Sequence, residues 1–241
     1  MDYRLDGQAA YVLHARPYRD TSLLVDCFTL EYGKVSLVAR GARRPGSRSR
    51  ASIQCFVPLQ LSWSGRSELK TLSQAEAVAP PVFLQGRALL CGLYLNELLQ
   101  RLLQPVDPHP QLYVYYQYAL NELLLGQDIE GALRTFERRL LSEVGYALEL
   151  SGLDAQALYL LQPQGGFQPV VLNPSTERQR CFGGQQLLAI GEDDYSDPRT
   201  RRAAKRLMRL ALDQLLGGKA LRSRELFQRP AVPAGISAGH S

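Results

Sequence analysis

Short apolar runs separated by turn residues dominate the first 80 residues of the chain. Within these runs apolar and polar positions alternate with a period of two, the pattern of half-buried β-strands. We predict strands over residues 9–15, 22–30, 34–39, 56–63 and 68–76. A sheet this short is best stabilised by removing its edges, so residues 1–79 are expected to form a small closed β-barrel, with Pro58 at a strand edge or bulge.

The hydrophobic period changes to about 3.6 residues after Pro80-Pro81. This spacing predicts helices over residues 82–103, 111–125 and 129–144. The third is the most clearly amphipathic, and Gly145 follows it as a stop signal. Residues 80–150 are therefore expected to form a helical domain packed beside the barrel.

The rest of the chain is less regular. Residues 151–196 hold scattered glycines between short apolar runs and are expected to be irregular. Asp197-Pro198 then supplies an N-cap followed by proline at the first helical position, which predicts a helix to about Leu216. We expect residues 197–229 to pack on the helical domain as a basic helix, and the small, polar residues 230–241 to be disordered. The predicted fold class is α+β and multidomain.

The composition is that of a folded, soluble protein, with 241 residues of which 45% are hydrophobic and 21% charged. The first residues lack the basic start and apolar stretch of a signal peptide, and no run of about 18 apolar residues occurs. Cys27, Cys55, Cys91 and Cys181 are far apart and form no Cys-x-x-Cys pair. Neither a disulfide framework nor a four-cysteine zinc site is expected, and the chain is predicted to be a reduced, cytoplasmic protein.

Positive charge is concentrated at the two ends of the chain. The 28 basic residues, 24 Arg and 4 Lys, outnumber 23 acidic ones, and the net charge is +4 over residues 1–80, −3 over 81–150 and +4 over 151–241. Arginine presents a planar set of donors that suits phosphate, although a GC-rich genome also replaces Lys by Arg. Two basic ends around an acidic middle favour separate surfaces with different partners.

The densest cationic segment is the loop from Arg40 to Arg50, which has five arginines and no acid. We predict that it closes on a nucleic-acid backbone; the alternative is a loop kept soluble by its charge. The predicted nucleic-acid-binding residues of the barrel are Arg16, Arg19, Lys34, Arg40, Arg43, Arg44, Arg48, Arg50, Arg66 and Lys70. The candidate stacking platforms, unless they are core residues, are Tyr11, Tyr18, Phe28, Tyr32 and Trp63.

A second basic surface is predicted on the C-terminal helix, opposite its apolar stripe. The alternative is the ordinary exposed face of a soluble helix. The predicted nucleic-acid-binding residues of this surface, next to Arg201 and Arg224, are Arg202, Lys205, Arg206, Arg209, Lys219 and Arg222.

Enzymatic patterns are scarce in the sequence. None of the three histidines, His14, His109 and His240, is expected near a carboxylate pair, a cysteine or a nucleophile elbow. The acidic run 192–194 with Asp197 could hold a divalent metal, but a solvated acidic turn is the favoured interpretation because the spacing is not that of a calcium loop. Residues 41–50 lack the Gly-Lys-Ser/Thr ending of a P-loop. We predict no enzymatic activity, no cofactor and no catalytic residues.

Seven segments, spread over about residues 9–228, together resemble the bacterial recombination mediator RecO family. They are YVLHARPY (11–18), DTSL (20–23), GKVSLVARGAR (33–43), WSGRSELKTL (63–72), GLYLNELL (92–99), LRTFE (133–137) and GGKALRSRELF (217–227). The resemblance implies an N-terminal OB-fold and a helical domain that bind single- and double-stranded DNA and anneal complementary strands. It also implies partnership with single-stranded-DNA-binding protein (SSB) and RecR in loading RecA, without a membrane or a small-molecule substrate.

Two further expectations follow from this resemblance. The family's site for the acidic SSB tail, an apolar groove with basic residues in the helical domain, would involve Arg134 by motif match. Many members carry a four-cysteine zinc module after the helical domain, whereas residues 150–185 hold only Cys181, so no zinc is expected here. We therefore favour a nucleoid-associated recombination mediator. The rival hypotheses are a generic OB-fold RNA- or DNA-binding protein without mediator activity and a metal-dependent nuclease that uses the acidic run.

Overall fold

The computed structural model describes residues 3–47, 52–163, 165–170 and 178–227. Five strands form a closed barrel in the order β1-β2-β3-β5-β4. Their bounds are β1 Arg4–Tyr18, β2 Ser22–Thr29, β3 Gly33–Ala39, β4 Leu59–Ser64 and β5 Leu69–Ala77. The predicted five-stranded barrel is confirmed, although β1 is longer at both ends than its apolar pattern indicated.

The length of β1 allows the barrel to close. Its first half pairs antiparallel with β4, from Arg4 opposite Ser64, and its second half pairs antiparallel with β2, up to Tyr18 opposite Ser22. A short parallel pairing of β3 with β5 completes the ring. Pro58 immediately precedes β4, where its carbonyl accepts a hydrogen bond from the Val78 amide at 3.0 Å, so its missing N–H costs no ladder bond.

Both faces of β1 are buried in its middle. Ala10 and Val12 point into the barrel and belong to its core, whereas Tyr11 and Leu13 belong to a second core that is shared with the helices. The two cores therefore meet across a single strand, because successive side chains on a strand point to opposite faces.

Besides a short 3-10 helix at Arg178–Arg180, the described residues contain six α-helices. They are α1 Gly86–Leu102, α2 Pro110–Leu125, α3 Ile129–Glu143, α4 Gly184–Gly191, α5 Pro198–Leu215 and α6 Arg222–Leu226. Helix α1 begins four residues later than predicted, since Val82 instead donates its amide to the Phe56 carbonyl at 3.0 Å. The predicted cap of α5 is present, because the Asp197 side chain accepts from the Arg199 amide. No described helix has the length and apolar character needed to cross a membrane.

The region expected to be irregular contains a small antiparallel sheet in the order β7-β6-β8. Its strands are β6 Leu158–Leu161, β7 Phe167–Val170 and β8 Cys181–Gly183, and α4 follows directly. Tyr159, Phe182 and Leu187 join the shared core, so packing holds this region on the helices. Residues 171–177, and the tail 230–241 that was predicted to be disordered, lie outside the described residues.

Polar contacts lock the barrel to α1 and to the segment after it. The Asn96 amide donates to the Leu13 carbonyl at 3.0 Å, and the Gln100 amide donates to Asp26 at 3.1 Å. Gly33, at a φ of +60°, lies so close to Asp107 that a Cβ would come within 1.8 Å of its carbonyl oxygen. Only glycine fits this contact between the β2–β3 turn and the helical domain.

Candidate functional site

A polar cleft of about 460 Å³ opens at one end of the barrel. It lies between the β1–β2 turn, the loop after β3 and the start of β5. We call it the barrel cleft; its lining residues are Tyr18, Arg19, Thr21, Ser22, Val38, Arg40, Gly41, Arg44, Leu69 and Thr71. The strand-connecting loops at this end of an OB-type barrel are also where such folds bind oligonucleotides.

Three of the predicted cations surround the barrel cleft. Arg19, Arg40 and Arg44 are exposed, and the Arg19 guanidinium carbon lies 5.3 Å from the centroid of the Tyr18 ring. Within the residues that the structure describes, none of the three forms an ion pair with a carboxylate. The cleft therefore presents uncompensated positive charge beside a half-exposed aromatic ring.

Arg43 has a different position in the same loop. Its guanidinium donates to the carbonyls of Arg19 and Asp20 at 3.3 and 3.2 Å, and its amide donates to the Thr21 carbonyl at 2.9 Å. These bonds tie the loop to the β1–β2 turn. Arg43 thus shapes the cleft that Arg19, Arg40 and Arg44 line.

Two further cations that the structure describes on the barrel, Arg16 and Arg66, lie away from the cleft. Arg16 is exposed on β1 and Arg66 is exposed on the β4–β5 turn, but neither lines it. Arg48 and Arg50 lie outside the described residues, so their predicted role stays a prediction.

Both lysines of the barrel are held by backbone carbonyls. Lys34 Nζ donates to the Gln100 carbonyl at 2.7 Å, and burial lowers the pKa of Lys34 although nearby Asp26 acts in the opposite direction. Lys70 is 9% exposed, and its Nζ lies 3.5 and 3.4 Å from the carbonyls of Ser67 and Glu68. These side chains stabilise the interdomain contact and the β4–β5 turn respectively.

The candidate stacking platforms are mostly core residues. Tyr11, Phe28 and Trp63 are 5%, 0% and 0% exposed, so for these three the alternative that they are core residues is the correct one. Tyr32 packs edge-on against Trp63 at a centroid distance of 5.7 Å. Tyr18 is the candidate that both lines the barrel cleft and keeps part of its ring accessible.

A second concavity, of about 320 Å³, lies between α1, α3, α5 and the end of α6. We call it the helical groove. Cys91, Tyr94, Leu133 and Phe227 supply its apolar wall, and basic side chains surround them. Arg134 is one of the residues that line this groove, and its role in binding an SSB tail stays a prediction.

Arg134 is paired inside the groove with a buried acid. Its Nη2 donates to Glu137 Oε1 at 2.7 Å, and the Tyr94 hydroxyl donates to the same oxygen at 2.6 Å. Burial raises the pKa of Glu137, while the Arg134 charge and the Tyr94 hydrogen bond act against this shift. Sequence reasoning gave Glu137 no role, although its position three residues after Arg134 on a helix was a signal for an ion pair.

The predicted basic surface on α5 is divided among different neighbours. Arg201, Lys205 and Arg209, spaced four residues apart, line the helical groove. Arg206 instead donates to the Cys181 carbonyl at 2.6 Å, and its guanidinium carbon lies 4.5 Å from the centroid of the Phe182 ring. The side chains of Arg202, Lys219 and Arg222 are exposed and line neither concavity.

Carboxylates in the described residues are largely used for structure. Asp193 accepts hydrogen bonds from Arg138, Arg139 and Tyr195, and Asp194 accepts one from the Ser196 amide. His109 contradicts the expectation that no histidine lies near carboxylates, since Nδ1 is 2.9 Å from Glu143 and Nε2 is 3.5 Å from Asp107. Its partner Glu143 is 34 residues away in sequence, so local inspection could not reveal the contact.

No group of three or more His, Cys, Asp or Glu side chains in the described ranges could hold a metal ion. Cys181 is the single cysteine of the region where related proteins were expected to carry a zinc module, and it packs in β8 at 8% exposure. These residues do not fit a zinc site.

Comparison with known proteins gives a consistent result over most of the chain. The model of the recombination protein O N-terminal domain matches residues 5–81, and that of its C-terminal domain matches residues 84–152. A DNA repair protein RecO of Pseudomonas aeruginosa (strain LESB58) is 47% identical over 92% of this chain and 94% of its own length. The RecO proteins of Methylococcus capsulatus and of Coxiella burnetii (strain RSA 331) are 45% and 42% identical, over 91% and 94% of this chain and 91% and 100% of their own lengths.

Proposed function

This chain belongs to the recombination protein O family of DNA repair proteins, and we propose that it is a non-enzymatic mediator that binds and anneals DNA strands. Its role in DNA repair follows from the family. The finer proposal is that it binds single- and double-stranded DNA and, with SSB and RecR, helps to load RecA at the bacterial chromosome. The observation that carries the DNA-binding part is the barrel cleft, where three arginines without a carboxylate partner among the described residues surround Tyr18.

The barrel cleft is suited to a nucleic-acid backbone. Arg19, Arg40 and Arg44 can each contact a phosphate, and such contacts release counterions without reading base sequence. The Tyr18 ring can stack on an unpaired base, which favours single strands over a closed duplex. Binding of this kind holds strands with little sequence preference, as a protein acting at arbitrary sites of damage requires.

Annealing needs no bond-making step. Two strands repel each other through their phosphates, and a cationic surface that holds both reduces this repulsion and raises their effective concentration. The proposal accordingly assigns no residue of this chain to catalysis and no cofactor to it.

The helical groove supports the second part of the proposal, capture of the SSB tail. An acidic tail that ends in an aromatic residue would meet basic side chains around the wall formed by Tyr94 and Leu133. Charge-assisted hydrogen bonds to its carboxylates would fix the tail's orientation. RecR binding is proposed from the family resemblance alone, and no contact surface is assigned to it.

The experiment measures annealing of complementary strands coated with SSB. We expect Arg40→Ala/Arg44→Ala to slow annealing strongly and to lower the slope of log affinity for single-stranded DNA against log salt by about 1.4, because each lost phosphate contact contributes about 0.7. The matched control is Arg178→Ala/Arg199→Ala, which removes the same charge outside both concavities. An unchanged salt slope in the cleft variant would refute the barrel cleft as the DNA site.

Binding and annealing assays on the wild-type chain distinguish a mediator from a generic OB-fold nucleic-acid-binding protein. Such a binder would prefer structured RNA to DNA, or would bind naked strands while failing to anneal SSB-coated ones. A mediator is expected to anneal coated strands and to lose this activity when the acidic tail is removed from SSB.

A further inference from the structure

The β1–β2 turn holds one of the cleft arginines in an uncommon backbone conformation. Arg19 has a φ of +50°, in the left-handed region that residues other than glycine rarely adopt. In this conformation its side chain lines the barrel cleft, with the guanidinium carbon 5.3 Å from the centroid of the Tyr18 ring. Such a backbone conformation is unfavourable by itself and persists only where surrounding contacts hold it.

Arg43 supplies contacts that hold this turn. Its guanidinium Nη1 donates to the carbonyl oxygens of Arg19 and Asp20, at 3.3 and 3.2 Å, so both hydrogens of this nitrogen are directed at the turn. Its backbone amide donates to the Thr21 carbonyl at 2.9 Å. Three consecutive carbonyls of the turn therefore accept hydrogen bonds from one residue.

The other wall of the barrel cleft is fixed by its own loop. Ala42 is 0% exposed and packs in the barrel core, and the Arg44 amide donates to the Gly41 carbonyl at 3.0 Å. Gly41 has a φ of +68°, which costs little because glycine has no side chain. Arg40 and Arg44 are therefore placed by their own loop, whereas Arg19 is placed by contacts with a neighbouring one.

We propose that Arg43 is the positioning residue of the barrel cleft: it holds Arg19 in the conformation that contacts a DNA phosphate, and it makes no phosphate contact of its own. Because it directly follows the buried Ala42, it is a fixed point from which the turn can be held. The proposal rests on the proposed binding of DNA in the barrel cleft. It gives Arg43 a role different from the predicted phosphate contact, since without its side chain the turn relaxes and Arg19 leaves the cleft.

The test is a double-mutant cycle on the full chain, in which the affinity for a labelled oligothymidine is measured at several salt concentrations. We expect Arg19→Met and Arg43→Met each to weaken binding about tenfold and to lower the slope of log affinity against log salt by about 0.7, because both lose the phosphate contact of Arg19. The double variant Arg19→Met/Arg43→Met is expected to bind no more weakly than either single variant. Arg43→Lys, whose ammonium can still donate to the carbonyls, should retain affinity within about threefold.

The matched control is the same cycle with Arg40, which lies on the other wall of the barrel cleft. Arg40→Met/Arg43→Met should show the sum of the two single losses and a slope lower by about 1.4, because the two substitutions remove different phosphate contacts. If Arg43→Met instead disrupted this end of the barrel as a whole, the contact of Arg40 would be lost with it and the two losses would not add.

The outcomes separate this proposal from the one on which it rests. If the losses of Arg19→Met and Arg43→Met add, Arg43 contacts DNA directly, and its positioning role is overturned while the barrel cleft stands. Wild-type affinity in Arg43→Met, or a failure of its loss to add to that of Arg40→Met, also overturns it. If neither Arg19→Met nor Arg40→Met weakens binding, the barrel cleft is not the DNA site, and the role of Arg43 falls with it.

Discussion

The barrel cleft and the helical groove both concentrate arginine, but they hold it in different ways. Around the cleft, Arg40 and Arg44 extend from a loop into solvent without acidic partners in the described residues. In the groove, Arg134 lies against the buried acid Glu137. The first arrangement leaves positive charge available to any polyanion, whereas the second uses most of the charge to hold the protein itself together.

This difference indicates what each region can recognise. Unpaired surface cations attract a phosphate backbone over a distance set by the ionic strength, and they do so without demanding a particular shape. A groove whose cations are largely neutralised selects by the fit of an apolar wall, with only a small net charge to orient the ligand. Salt is therefore expected to weaken DNA binding more than peptide binding.

The largest expected effect is on stability, and it distinguishes an arginine paired with a buried acid from an arginine exposed to solvent. Arg134→Met should lower the free energy of unfolding by about 3–5 kcal/mol, because Glu137 would remain buried without its charge partner. Arg40→Met should change it by less than about 0.5 kcal/mol, since that side chain is exposed. Urea denaturation followed by circular dichroism measures both, and Arg134→Met/Glu137→Gln should recover most of the loss. Equal stability of the two single variants would abolish the contrast between the regions.

A smaller effect sharpens the description of the barrel cleft. Tyr18→Ala should weaken binding of single-stranded DNA by about 1–3 kcal/mol through lost stacking, and should affect duplex DNA less. Tyr18→Phe keeps the ring and is the control expected to bind like the wild type. Titrations with single-stranded and duplex DNA measure both affinities. An equal loss of affinity for the two kinds of DNA would mean that Tyr18 only supports Arg19 and does not stack on bases.

The smallest expected effect is the stability that Glu97 contributes by holding α6, the helix at one end of the helical groove. Glu97 accepts hydrogen bonds from the Arg222 amide and from both the amide and hydroxyl of Ser223, which caps α6 and thereby positions Arg224 and Phe227. Glu97→Gln should cost about 1 kcal/mol of stability at neutral pH. Thermal unfolding of the two proteins measures the difference.

The pH dependence of this cap has a definite sign. Burial alone would raise the pKa of Glu97, but the hydrogen bonds from Ser223 and Arg222 lower the pKa below its ordinary value of 4.5. The stabilisation is therefore complete above that value and is lost as pH falls through the lower pKa of the folded state. The wild type should be more stable than Glu97→Gln at about pH 7, and the two proteins should have the same stability in strong acid. A stability difference that does not change with pH would contradict the proposed role of Glu97 as a cap.

The sequence predicts those parts of the fold that leave a repeating pattern along the chain. Five barrel strands and four long helices were located because each carries apolar residues at the period of its secondary structure. Helices α2 and α5 end within a residue or so of their predicted bounds. The strands of the small sheet are only three or four residues long, too short for a period to be visible. Their pairing became evident only in the structure.

The candidate site was predicted less completely, because charge in a sequence does not reveal its partner. The local sequence suggests that Lys34 is a surface cation. In the structure its ammonium donates to the Gln100 carbonyl, which lies 66 residues away in sequence. Arg206 and Lys205 are neighbours on α5 but face a sheet strand and the helical groove respectively. Contacts with residues distant in sequence determine which surface each of two adjacent cations faces. These contacts cannot be predicted from the local sequence pattern.

The aromatic residues on the outer faces of β1 and β2 limit how this protein can be divided into fragments. Tyr11 and Phe28 lie within 5.6 Å, centroid to centroid, of the Tyr113 ring on α2, and Leu13 joins the same core. A fragment ending at residue 79 would leave these rings on an uncovered patch that invites self-association. The barrel is therefore not a transplantable unit, and chimaeras that exchange barrels between relatives must exchange the matching surface of α1 and α2 with them.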